Sequence, residues 1–521
     1  MPLVVIPPTQ MLSASVKLVV AFAAGRGDPG LLHFVRLLLS LVASFCLVAC
    51  QPKGDSNARP APPFSVAELK PGGSASVSTR PFASLMLPSA NLPQSARSQF
   101  HAGKALAHQP WVKAPTVTNA RDGLGPIFNA RTCLACHING GRGDLPADAS
   151  RPIFAALVRL SIPGVQREYG AVPEPTYGLQ LQGQSISLQH QFRHHPPAAK
   201  VREAAPESYT YIDWQAKTVA YADGETVTLR FPTLRFAELN YGPMSERVLT
   251  SLRAAPAIAG LGLIELIAQS DIDTLADPED SNGDGISGRV NLVWDAHQKK
   301  VLPGRFGWKA NRASLMTTVA AAFQQDVGIS NPVFPSQPCT ELQPDCTGMI
   351  NGNNSEGFEI DQELLDLVVD FTRNLAVPEA RLLQLGEERL QQGRQLFYQV
   401  GCADCHTPSF QTQSTTGYNS HLGGQIIWPY TDLLLHDLGP ELADNRPDYH
   451  ASGSEWRTPP LWAIGLSNQV NGNAVYLHDG RAQSVAEAIL WHGGEAASSQ
   501  KQFRHLVKSQ RQLLIEFVES L

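Results

Sequence analysis

The spacing of apolar and polar residues changes character several times along this chain of 521 residues. From Arg36, one basic residue is followed by about twelve mostly apolar ones ending at Cys50, the length of a signal-peptide core and too short to span a bilayer comfortably. Residues 51–90 show no period and are rich in Pro, Ser, Gly and Ala, which predicts a flexible tether. Between about 156 and 240 the pattern is that of strands: residues 180–188 and 226–231 alternate or carry β-branched side chains near glycine turns. Helical spacing returns from 241 to about 380, clearest at 362–371, and again at 387–397 and in an amphipathic stretch at 503–521. No segment after Cys50 reaches the roughly 18 consecutive apolar residues of a membrane span.

Composition narrows the class. Hydrophobic residues at 43% and charged residues at 17% describe a globular chain, long enough for two to four domains at about 150 residues each. A net charge of −6 and the lack of a Lys/Arg run provide no field for nucleic acid, and none is expected as a partner. Leu47, Val48, Ala49 and Cys50 resemble a bacterial lipobox, in which Cys50 carries lipid and begins the mature protein. That predicts a periplasm-facing lipoprotein, and Gln51 rather than Asp after the cysteine points to the outer membrane. Residues 1–30 make a poor leader and are expected to be unstructured or untranslated, with the start nearer 31–35.

Eight cysteines are too few for a disulfide scaffold, so their spacing carries the information. Cys133, Cys136 and His137 form one CxxCH pentad, and Cys402, Cys405 and His406 another. Two thiols at this spacing form thioethers with haem vinyl groups, and the adjacent imidazole is then held against the iron. Thioredoxin-like and zinc readings lack the expected strand context and further ligands. Two covalently bound haems c are therefore expected. A helical stretch delivers the second pentad and a turn-rich one the first, so the sites are not copies.

The far-side ligand can be narrowed by elimination, because it is usually His or Met. The methionines stand at 1, 11, 86, 244, 316 and 349, none after the second pentad, which leaves His421, His436, His450, His478, His492 or His505 for that haem. Neither His nor Met occurs between Ile138 and Gln189, so the first haem has no local sixth ligand and an open iron position is expected.

Segments 123–137, 221–232, 251–265, 280–289, 304–310, 433–439, 455–462, 477–482 and 488–496 together resemble the bacterial dihaem oxidoreductases, a family of dihaem peroxidases and "thiol oxidoreductases" distantly similar to dihaem cytochrome c peroxidase. The resemblance implies two cytochrome c-like haem domains. With the periodicity it predicts a mainly α chain with a β-rich insertion in the N-terminal half: signal region 1–50, tether 51–90, first haem domain 91–384 with the insertion at about 156–240, and second haem domain 385–521. In the relatives an HDG segment leads to the distal ligand of the second haem; here His478, Asp479 and Gly480 lead to His492. His406 and His492 are thus expected as its axial pair.

Three further features stay open at this level. Asp280, Asn282 and Asp284 present oxygens at alternate positions with Gly285 at the bend, which suits either calcium or a hydrogen-bonded Asx turn; Asn291 stands where an EF-hand needs Glu. The resemblance also implies calcium near a turn like Arg457 to Pro460. Cys339 and Cys346 are expected to pair, worth about 2.5 kcal/mol in the chain-entropy model, as a structural bridge rather than the alternative redox-active pair, whose close spacing they lack.

The expected activity is peroxidase-like: the His406/His492 haem passes electrons to a haem with an open iron, where peroxide is the substrate, and a redox protein or small donor resupplies them. His436, His478, Arg457 and Arg481 are the candidate proton-transfer and charge-stabilising residues. The alternatives are a non-catalytic periplasmic electron-transfer protein, and a dihaem enzyme oxidising a partner protein in iron metabolism.

Overall fold

Helix boundaries follow local signals. Asp361 accepts from the Leu364 N–H, Ser314 from Thr317 and Ser484 from Glu487, the side-chain caps that satisfy free donors at helix starts. The helices used below are α1 (Arg97–His108), α2 (Cys133–Cys136), α3 (Leu315–Ala322), α4 (Gln362–Arg373), α5 (Glu387–Gln399), α6 (Val485–Trp491), α7 (Ala497–His505) and α8 (Lys508–Ser520). α1 lies on α4 through Gly103, where any side chain would collide with the Leu367 carbonyl and Phe371. The computed structural model describes residues 60–78, 85–117, 121–186, 204–349, 351–473 and 475–521. The signal region and Cys50 lie outside them.

The strands used below are β1 (Ile127–Phe128), β2 (Ala156–Ser161), β3 (Gln180–Leu181), β4 (Gln184–Ser185), β5 (Tyr209–Ala220), β6 (Thr226–Ala237), β7 (Leu249–Ala254), β8 (Leu292–Asp295), β9 (Lys300–Pro303), β10 (Leu435–Asp437) and β11 (Glu455–Arg457). β2 is central to an antiparallel sheet of order β3-β2-β7, while β5–β6, β8–β9 and β10–β11 are two-stranded. The expectation of a mainly α chain is therefore corrected: 31% of the chain is helical and 18% strand, spread over many small sheets. Strands of two to six residues are too short to register as a period, and β8–β9 falls inside the stretch expected to be helical.

Three other expectations change. The strand expected at 180–188 breaks at Gln182 and Gly183, so that β3 pairs with β2 and β4 with β1; residues 187 and 188 lie outside the described ones. The helix expected at 503–521 is two, because Leu506 and Val507 turn extended between α7 and α8. Residues 60–78, expected as tether, are packed: buried Glu68 pairs with Arg394 and accepts from the Tyr430 hydroxyl at 3.1 Å, and Val77 pairs with Val377. A buried carboxylate with two donors anchors what composition alone marks as loose.

Residues 59–521 form one compact unit. Its larger apolar core joins Phe100, Trp111, Phe323 and Phe371 to Leu433 and Trp462; the second gathers Leu390, Phe397, Tyr430, Phe503 and Phe517. The β5–β6 ribbon crosses to that second core, burying Tyr221 and Leu229 in it. Arg511 sits 3.8 Å above the Tyr221 ring, and Ala222 donates to the Arg504 carbonyl.

Candidate functional site

Thr132 caps α2 by accepting from the Ala135 N–H, so the helix opens on Cys133 and closes on Cys136. His137 follows, and its Nδ1 lies 2.7 Å from the Pro256 carbonyl. That carbonyl can only accept, which puts the proton on Nδ1 and leaves Nε2 as a free donor atom. Burial holds the imidazole below its ordinary pKa, hence neutral.

α5 delivers the second pentad. Gly401, at φ +87°, turns the chain left-handed between α5 and Cys402, a conformation that suits glycine. His406 places Nδ1 at 2.9 Å from the Tyr430 carbonyl, and burial pulls its pKa to about 4. His492, next after α6, places Nδ1 at 2.7 Å from the Ala488 carbonyl and is also held below the usual imidazole range by burial. Burial pushes the thiols of Cys133, Cys136 and Cys402 up to about 12, so the protein alone does not hold them as thiolates.

Each pentad opens into a cavity. The first, about 280 Å³, is walled by apolar residues such as Leu85, Ile264, Phe306, Val319 and Trp462, with Arg142, Arg159, Arg253, Arg305, Arg312, Arg457 and Asp326 among them. Among the described residues lining it, His137 is the only imidazole and there is no Met, Tyr or Lys. The second, about 160 Å³, is lined by His406, His436, His478 and His492 with Trp308, Trp456, Leu461 and Val485. Arg142, Trp308, Arg457, Pro459 and Ile464 line both. Two thiols, an imidazole with a free Nε2 and an apolar wall form a donor set that fits a haem at each site.

A family model described as "Di-haem oxidoreductase, putative peroxidase" matches residues 69–521. The chain belongs to this family. Membership implies two haem groups, which agrees with the two cavities of this di-haem oxidoreductase. No curated protein matches the chain. Among solved structures, the chain is similar to Kuenenia stuttgartiensis hydrazine synthase pressurized with xenon, at 16% identity and a TM-score of 0.23, covering 32% of this chain and 57% of that one. The match thus spans a little over half of that chain's length, and its low TM-score supports no argument.

The structure brings only one of the four candidate catalytic residues of the di-haem oxidoreductase, Arg457, to the first cavity. His436 and His478 line the second. His436 is clamped, Nε2 to Asp432 at 2.8 Å and Nδ1 to Glu495 at 2.7 Å, so neither nitrogen is free for iron or substrate. Burial disfavours its cation, yet the two carboxylates outweigh this and hold its pKa well above the imidazole range. His478 stacks on Trp456 with centroids 3.6 Å apart, and burial lowers its pKa to about 4. Arg481 lines neither cavity; it pairs with Asp479 at 2.7 Å and covers Trp491. These three thus lie away from the first cavity, because contacts between distant segments decide which cavity a side chain meets.

Sequence reasoning missed Asp326, Trp308 and most of the arginines. Asp326 lines the first cavity and accepts from Gln180 at 2.9 Å; burial raises its pKa, with Arg159 working against the shift. The segment 304–310, conspicuous in the family resemblance, contains Arg305 and Trp308 and was the available signal. In the loop at Asp280, Asn282 and Asp284, all three side chains accept from backbone N–H groups of their own loop, the Asx-turn arrangement. Cys339 and Cys346 are disulfide-bonded, and the loop they close packs on Ile127 of β1.

Proposed function

We propose that this di-haem oxidoreductase is a peroxidase-like enzyme with two covalently held haems c, one of which Cys133, Cys136 and His137 would hold, and the other Cys402, Cys405, His406 and His492. The observation that carries the reading is the asymmetry of imidazoles. His137, His406 and His492 each have Nδ1 committed to a backbone carbonyl and Nε2 free, and two of them share the second cavity while the first has one among its described lining residues. This favours a saturated electron-transfer site beside an open reaction site.

When bound, haem supplies one-electron exchange and activation of the peroxide O–O bond. The chain's own residues supply the rest. The Pro256, Tyr430 and Ala488 carbonyls orient the three rings. Burial raises the Asp326 pKa, which makes it the carboxyl of the first cavity suited to hold a proton that a leaving oxygen would need. Trp308, its Nε1–H fixed by the Ala254 carbonyl at 2.8 Å, lies in the wall common to both cavities. Trp462 lines the first cavity and Trp491 neither, so Trp308 is the indole best placed for transfer between them. Export and lipidation at Cys50 belong to the same proposal, since haem c is attached outside the cytoplasm, and a redox protein or small donor supplies electrons.

Low-temperature EPR of the ferric holoprotein, with optical spectra of the reduced form before and after CO, tests this reading. It expects one high-spin and one low-spin component, with CO bound at one haem. Two low-spin haems that both refuse CO would overturn it in favour of an electron carrier.

A further inference from the structure

The wall shared by the two cavities contains two buried guanidinium groups, Arg142 and Arg457, each 9% exposed. Most other arginines of the first cavity are already satisfied by protein. Arg253 pairs with Asp448 at 2.9 Å and Asp444 at 3.3 Å, Arg305 donates to the Ile264, Glu265 and Ile267 carbonyls, and Arg159 donates to Gln325. Arg457 donates Nε to the Gly307 carbonyl at 2.9 Å and Nη1 to that of Thr458 at 3.0 Å. Arg142 differs. Its guanidinium has no hydrogen-bond acceptor or carboxylate among the described residues; it rests over the rings of Trp308 at 5.5 Å and Tyr476 at 5.9 Å.

An isolated buried cation costs several kcal/mol, and a second cation nearby adds to that cost. Burial lowers the pKa of both arginines; at Arg457 the Asp432 carboxylate works against that shift and the charge of Arg142 adds to it. A wall built in this way is complementary to anions arriving from either side. Guanidinium binds carboxylate in a two-pronged geometry, and each haem carries two carboxylates on its edge.

We propose that Arg142, seconded by Arg457, is a shared carboxylate clamp that takes a propionate from the haem of each cavity, so that one positive wall sets the potentials of both. This rests on the reading that both cavities hold haem. Positive charge beside a propionate favours the reduced iron, whose haem bears one positive charge fewer. The clamp therefore raises both potentials and links them. It involves no bond making, only replacement of water by carboxylate at the guanidinium.

The test is a spectroelectrochemical titration of each haem in holoprotein without peroxide, after covalent haem content is fixed by the pyridine haemochrome spectrum. Arg142→Leu is expected to keep both haems and to shift both ferric/ferrous equilibria at least tenfold toward ferric, about 59 mV lower for each one-electron couple. Arg142→Lys, which keeps the charge and spares the fold, is expected to shift both in the same direction by a smaller factor. Wild-type potentials at both haems in either holoprotein variant, or a shift confined to one haem, would overturn the shared clamp while leaving the peroxidase reading intact. Wild-type protein without two covalent haems would instead overturn the reading beneath it, and the clamp with it.

Discussion

The same pentapeptide occurs at both cavities, yet the two sites differ in almost everything that faces it. Opposite Cys133 and Cys136 the chain places arginines and a buried carboxyl, and no imidazole beyond the motif's own among the described lining residues; opposite Cys402 and Cys405 it places three imidazoles beyond the one in the motif. Those three have separate roles. His492 is freed at Nε2, His436 is locked between carboxylates and His478 is stacked on an indole. The motif is thus written in five consecutive residues, whereas what faces it is written in what distant segments bring across.

The comparison can be broken most directly at His492. His492→Gly should convert the second haem wholly from low to high spin and leave the first unchanged; an EPR spectrum that keeps its low-spin component would remove the asymmetry. A smaller effect is expected at His436. His436→Gln strands Asp432 in the interior and should cost about 3 kcal/mol in chemical denaturation. The folded pKa of His436 is raised, so its stabilisation is complete below the ordinary imidazole range near 6.5 and is lost as pH rises through the folded value. The gap between wild type and variant should therefore narrow in alkaline buffer, and a gap that widens there would contradict the clamp. Smallest is Asp326→Asn, expected to slow peroxide turnover about a hundredfold with spin states unchanged. In the wild type the rate should fall as pH rises through the raised pKa of Asp326, and the variant should lose that limb of the profile.

Much of this was legible in the chain itself. The helices at 362–371 and 387–397 are present within two residues, since a strong apolar face and an Asp361 cap or a following Gly401 are local signals. The β5–β6 ribbon extends the strand read at 226–231, and both pentads sit in cavities. What escaped was non-local. No periodicity shows that Glu68 meets Arg394, 326 positions away, or that the Pro256 carbonyl orients His137 from 119 positions away. The arginines escaped for the same reason, because a charged residue in a sequence reads as surface until its partners are known. The mainly α expectation failed because the short strands of the small sheets are individually beneath notice.

The wall of the first cavity also has a history in time. Its lining includes Pro459, Trp462, Val470 and Asn471, and Asn139 is tied to the Val470 carbonyl across 331 positions. A ribosome adds about 5–20 residues each second, so Cys133 and Cys136 emerge many seconds before the residues that enclose them exist. Until then the pentad is an open segment, and the chain cannot seal its first pocket early.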